Sequence, residues 1–281
     1  MIDKIQIVRA VKILSCKGTN SIPLEVLCDD NEVYIIKTMF KKHPPIEDLI
    51  NEILCNYFLQ CWDIPVPEQA LVLFDDIIIE QYLLLENNVI NKKYTDFKFE
   101  NHYFYGSKFL PYATEIELYN LTLKNKHDYN KYQNPIDLIK IGVFDKWIAN
   151  RDRRSDNSNI LIDNSDGKFK FIPIDNVQSF ANQTNYKTLK LAIMDTVNNK
   201  SILNSPITKS IRSFANSNKY SNLAKEITEN IEKSIDLIEP IFDNIPSELG
   251  LSRQGKDKIK EILSDKPRNN IISSSYLNYS K

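Results

Sequence analysis

The chain has few of the residues that announce a familiar site. Only six glycines occur in 281 residues, and neither G-x-G-x-x-G nor G-x-x-x-x-G-K-[ST] is present, which excludes Rossmann and Walker phosphate loops on pattern. Three histidines, His43, His102 and His127, leave little material for histidine catalysis. The four cysteines, Cys16, Cys28, Cys55 and Cys61, form no C-x-x-C pair and have no histidine at zinc spacing, so they read as reduced, packed thiols. No charge excess exists either. Lys and Arg total 36 against 37 Asp and Glu, a net charge of −1, which disfavours direct nucleic-acid binding. No apolar run approaches the ~18 residues of a membrane span. Met1-Ile2-Asp3-Lys4-Ile5 lacks the charged-then-apolar layout of a signal peptide, so the expected location is the cytoplasm.

What is present falls into a β-rich first third and a helical remainder. Ile5 to Leu14, Ile22 to Cys28 and Glu32 to Phe40 read as three strands separated by Gly18-Thr19-Asn20-Ser21 and Asp29-Asp30-Asn31 turns. After Pro44-Pro45, the stripe Ile46, Leu49, Ile50, Ile53, Leu54, Tyr57, Phe58, Cys61 has the spacing of a core-facing helix, ended by Pro65-Val66-Pro67. Ala70 to Leu85 holds a strand and a second short element. Residues 86–105 read as a polar insertion, and Gly106 to Pro111 as a turn feeding an extended segment. A helix starts at Pro135 and ends at Ala149-Asn150. A polar loop and two short strands, Ile160–Ile162 and Phe169–Ile174, follow it. Helices dominate from about residue 186, and the Ser/Asn-rich tail after Lys266 is expected to fray.

The stretch from Phe144 to Asp175 carries the chemistry. A helix leads into a loop with Asp152 and, five residues on, Asn157; a hairpin then returns to Asp175. Phosphoryl transfer from ATP needs this set. One carboxylate orients the acceptor hydroxyl and takes its proton, while an amide oxygen and a second carboxylate hold Mg²⁺ against the phosphates. Asp and Asn in loops are commonly turn formers, and D-x-x-x-x-N alone is weak. Its position between a helix and an Ile-Leu-Ile strand, with a further Asp after the hairpin, favours the chemical reading. Asn157 has the kinase spacing, and Asn159 is the alternative ligand. Arg153 reads as a structural partner of Asp145 or Asp156, and Trp62 and Trp147 as core residues.

Several separated blocks, in order, resemble the HipA-like protein kinases in a short stand-alone form. They are Glu32-Val-Tyr-Ile-Ile-Lys37, Asn51-Glu52-Ile-Leu, Trp62-Asp-Ile-Pro-Val-Pro67, Tyr105-Gly-Ser-Lys108, Val143-Phe-Asp-Lys-Trp-Ile-Ala-Asn-Arg-Asp-Arg153, Asn157-Ser-Asn-Ile-Leu161, Ile174-Asp175 and Ile245-Pro-Ser-Glu248. The resemblance implies an α+β, two-lobed protein-kinase-like fold, with an N-lobe over 1–111 and a helical C-lobe over 112–281. It implies that Mg-ATP phosphorylates a Ser or Thr hydroxyl of a protein. Lys37 would contact ATP phosphates, Asp152 would be the catalytic carboxylate, and Asn157 and Asp175 would bind Mg²⁺. Gly18, Thr19 and Ser21 would form the loop over the phosphates, and Phe109 and Leu110 the connection facing adenine. Apart from the resemblance, the two hydroxyls of the Gly18-Thr19-Asn20-Ser21 turn are candidate sites of self-phosphorylation, the alternative being that they only cap the turn. The chain departs from the family at Ala149, where glycine is usual, and at Asn176, where histidine is usual. A small-molecule or lipid-headgroup phosphotransferase and a nucleotide-binding pseudokinase are the other readings. An antitoxin-type partner, known for some members, has no support in these residues. Helix arithmetic puts Glu52 off the apolar stripe, either toward Lys37 or toward water.

Overall fold

Strand pairing in the first part of the chain is closed on itself. The computed structural model describes residues 2–16, 23–37, 46–85, 102–183, 185–194 and 201–279. Gln6–Cys16 (β1), Leu24–Cys28 (β2), Val33–Ile36 (β3), Gln69–Leu73 (β4) and Tyr103–Lys108 (β5) form a barrel in the order β1-β2-β3-β5-β4. The three expected strands are therefore there. The ring is completed by a parallel join, Gln6 to Ala70 through Arg9 to Leu73, which no local pattern announces. β1 alternates only loosely because its register against β2 shifts between Ala10 and Lys12 and again between Ile13 and Ser15. Those bulges turn Val8, Ala10 and Ile13 inward and leave Val11 and Leu14 exposed.

β5 corrects the sequence reading. Tyr103 to Tyr105 belong to a strand, not to a polar insertion, and Gly106 to Lys108 continue it. Phe104 and Gly106 face the barrel interior. A Cβ on Gly106 would stand 2.9 Å from a Val72 methyl, so only glycine lets the strands approach there. Asp76–Leu85 (α2) closes the core with Ile79 and Tyr82.

Ile46–Cys61 (α1) is the helix that its stripe predicts. It is shared between two compact units: Met1–Ile53 with Pro67–Pro111, and Leu54–Val66 with Tyr112–Lys281. The core of the second unit is aromatic. Phe58 meets Trp147 edge-on at 5.2 Å, and Trp62 meets Phe144 at 5.3 Å. Both tryptophans are fully buried, as their apolar positions suggest.

Asp137–Trp147 (α3) runs through this core and is buried on nearly every side. Its three buried charges are paired: Lys140 lies 3.1 Å from both Asp137 and Glu226, and Asp145 bonds Arg153. Gly142 lets α3 pack on Ile202–Asn204, because a Cβ there would sit 2.7 Å from the Leu203 Cγ and Cδ2. Ala113–Glu115 (β6), Ile160–Asp163 (β7) and Lys170–Pro173 (β8) form a small antiparallel sheet. β6, only three residues long, has no sequence signature.

Pro206–Phe214 (α4), Leu223–Asp236 (α5), Ile238–Asp243 (α6), Arg253–Leu263 (α7) and Lys266–Ser273 (α8) complete the unit. Among the described residues, the tail is helical over Lys266–Ser273 and Ser275–Tyr279. Asp265 caps α8 by accepting from the Arg268 amide at 2.8 Å. Arg268, 5% exposed, donates to the Lys146 and Trp147 carbonyls at 2.9 and 2.7 Å, capping the C-terminus of α3. Cys28, Cys55 and Cys61 are buried free thiols. Among the described residues, no helix is long and apolar enough to cross a membrane.

Candidate active site

In the first unit, Lys37 directly follows β3 and its Nζ lies 3.0 Å from Glu52 Oε1 in α1. The side chains are 22% and 4% exposed, so the carboxylate is held inside while the ammonium still reaches solvent. The alternative for Glu52, that it faces water, is thereby excluded. A half-buried ion pair of this kind fixes a long, flexible lysine in one rotamer. Phe109 and Leu110 follow β5. The Phe109 amide donates to the Val33 carbonyl at 2.7 Å, so that N–H is committed to the barrel. Gly18, Thr19 and Ser21 lie outside the described residues, and so does any modification of that loop.

In the second unit, the loop that carries Asp152 begins where α3 stops. Asn150 donates to the Asp145 carbonyl at 2.8 Å and Ala149 to that of Lys146 at 3.4 Å, the bond pair of a Schellman cap. Such a cap needs a left-handed residue, and Ala149 supplies it at φ 51, where a glycine is usual. The Asn150 side chain then accepts from the Asp152 amide at 3.0 Å, setting the direction of the loop.

Asp152, Asn157 and Asn159 are brought together. Asn157 Nδ2 donates to the Asp152 carbonyl at 3.3 Å. With its nitrogen so engaged, Asn157 presents Oδ1, which has no partner among the described residues. Asn159 does something different. Its Nδ2 donates to Asp152 Oδ2 at 3.2 Å and it is 8% exposed, so it braces the carboxylate. Asp152 Oδ1 is left without a partner among the described residues. Ser158 pins the loop to the Ile116 carbonyl.

Asp175 follows β8 in the left-handed region at φ 60. Just before it, the Ile174 amide donates to the Asn159 carbonyl at 2.9 Å, tying its segment to the Asp152–Asn159 loop. Arg153 pairs with Asp145, and Arg154 with Asp156 at 3.0 Å. Burial pushes the Asp145 carboxyl up to about 6, with the Arg153 guanidinium pulling the other way. Arg151 donates to the Ile193 carbonyl at 2.8 Å.

These donors suit a hard divalent cation. Asn157 Oδ1 and the Asp175 carboxylate are oxygen ligands of the type Mg²⁺ and Mn²⁺ prefer. No group of three or more His, Cys, Asp or Glu able to hold a metal occurs among the described residues. The sequence missed Asn176, which accepts from Arg153, and the bracing role of Asn159; both depend on contacts between segments that the chain order separates.

The profile of the HipA-like kinases matches residues 11–269. A Helicobacter pylori proinflammatory kinase, CtkA, is similar in structure with a TM-score of 0.52 and 14% identity, over 94% of this chain and 92% of that one. A Golgi casein kinase with Mn/ADP bound also matches, with a TM-score of 0.40 and 11% identity, over 97% and 74% of the two chains. No curated protein matches the sequence. The fold is α+β and protein-kinase-like.

Proposed function

The chain belongs to the HipA-like kinase family, and on that ground we propose that it transfers the γ-phosphate of Mg-ATP to a Ser or Thr hydroxyl of a protein. The observation that carries this reading is the division of labour among Asp152, Asn157 and Asn159. One Asp152 oxygen is held by Asn159, and the other has no partner among the described residues. An acceptor hydroxyl would donate to that second oxygen. As the new O–P bond forms and the bond to the β–γ bridging oxygen breaks, the hydroxyl proton passes to Asp152 and ADP departs. Asn157 Oδ1 and Asp175 would hold the divalent cation, which neutralises charge on the phosphates. Lys37, oriented by Glu52, would pair with phosphate oxygens.

The test is transfer itself. The purified chain, incubated with Mg-ATP and a mixture of candidate proteins, should label Ser or Thr in at least one of them, as mapped by mass spectrometry. Asp152→Ala should bind nucleotide as the parent does and transfer nothing, whereas Lys37→Ala should lose both. Labelling of metabolites alone would favour a small-molecule phosphotransferase. Nucleotide binding without turnover in the parent would favour a pseudokinase.

A further inference from the structure

Arg153 is among the most deeply buried charged side chains of the second unit, with its side chain 0% exposed. It stands beside Asp152 in sequence, yet its side chain is buried within the protein. Its donors fan out over three segments. Nη1 meets Asp145 at the end of α3. Nε reaches the Asn159 carbonyl at 3.4 Å, and Nη2 reaches the Ile174 carbonyl at 2.7 Å and Asn176 Oδ1 at 2.9 Å. The residues on both sides of Asp175 are thus held by one guanidinium. Asp175 itself occupies a backbone region that an L-residue keeps only when its surroundings over-determine it. The residue that braces Asp152, Asn159, is held by the same group and by the Ile174 amide.

We propose that Arg153 is a positioning residue that cross-braces the catalytic loop to the metal-side segment, setting where the Asp175 carboxylate stands relative to Asp152. The proposal rests on the phosphotransfer reading of those two carboxylates. A planar fork with five donors can serve three segments at once; a lysine ammonium at the same place can serve Asp145 and little else. The histidine usual after the metal Asp is replaced here by Asn176, whose carbonyl oxygen supplies one of the fork's acceptors.

The experiment separates bracing from mere filling of the core. Buried ion pairs exchanged together for apolar side chains commonly keep stability. Asp145→Leu with Arg153→Met is therefore expected to fold while taking the guanidinium away from the Ile174 and Asn176 acceptors. Mn²⁺ binding in the presence of a non-hydrolysable ATP analogue, followed by electron paramagnetic resonance, should weaken by about 10–100-fold, the usual effect of losing an outer-shell support. kcat should fall by a similar factor, with KM for ATP within about threefold of the parent. In the metal-free protein, amide exchange at Ile174 and Ser179 should accelerate. A folded double variant with the parent's Mn²⁺ affinity and exchange rates would overturn the proposal. Should the double variant fail to fold, Arg153→Lys decides: reduced Mn²⁺ affinity at parental circular dichroism supports the brace, and unchanged affinity refutes it. A parent that binds neither Mn²⁺ nor nucleotide would overturn the kinase reading instead. The exchange comparison would then judge the brace alone, unchanged rates refuting it.

Discussion

Gly142→Ala pits two effects of known sign against each other. In the middle of a helix, alanine is favoured over glycine by roughly 1 kcal/mol. Here, however, the new methyl would lie 2.7 Å from both Cγ and Cδ2 of Leu203 and 3.1 Å from Ile202 Cγ1. Carbon atoms pack at about 3.5–4.0 Å, so Leu203 must move by most of an ångström. Its Cγ is near the backbone and cannot swing away as a chain end would. Overpacking of this sort costs about 1–3 kcal/mol, so the clash should win and the variant should lose about 1 kcal/mol net. Leu203→Ala alone, removing a fully buried side chain, should cost about 2–5 kcal/mol. In that background the two contacts at 2.7 Å are gone and only the 3.1 Å approach to Ile202 Cγ1 remains, which a shift of a few tenths of an ångström relieves, so Gly142→Ala should change sign, gaining up to about 1 kcal/mol. Calorimetry of the four proteins reads this as shifts of about 2–4 °C per kcal/mol for a unit of this size. The same sign for Gly142→Ala in both backgrounds would refute the argument.

Asp175→Asn should lose most of the Mg-ATP-dependent rise in melting temperature. Saturating ligand at 100 times Kd contributes about 2.7 kcal/mol, or about 5–10 °C, so a rise equal to the parent's removes Asp175 from the metal site. Glu52→Ala should leave the fold intact and weaken ADP binding by about tenfold, read by titration calorimetry; unchanged affinity would mean that Lys37 needs no orientation. Burial raises Asp145 from its ordinary 3.8 to about 6, so the stability this carboxyl contributes is complete below about 3.8 and is lost as pH rises through 6. The melting temperature of the parent relative to Asp145→Asn should therefore fall between pH 4 and 7; a constant difference over that window contradicts the shift.

The parts that were legible in the sequence are those set by local spacing. The stripe from Ile46 to Cys61 forms its helix, and the Asp152, Asn157 interval appears as one tight loop. The bond of Asn159 to Asp152 was not legible, because it depends on a left-handed backbone at φ 45 and on Asp152 lying opposite. Glu52 was undecided for a similar reason: helix arithmetic gives an angle, not the position of Lys37. The parallel join of β1 to β4 is a long-range event without a local signal. Composition misled at the C-terminus, where Ser and Asn masked the Asp265 cap and the buried Arg268. At Tyr103 to Tyr105, polar neighbours masked a strand whose alternate residues face the barrel.

The sharing of α1 means that order along the chain and order in space disagree. Phe58 and Trp62 leave the ribosome before β4 and β5 exist, yet their ring partners, Phe144 and Trp147, come much later. The nascent barrel cannot close until Ala70 reaches Gln6. In the interval, a greasy helix end has no core to enter and is a natural client for a chaperone. A truncated protein starting at Tyr112 would lack Leu54–Val66 altogether. It would carry the whole Asp152–Asn159 loop and still expose the empty sockets of two aromatic rings, so the helical half should be recoverable only when that earlier segment is supplied with it.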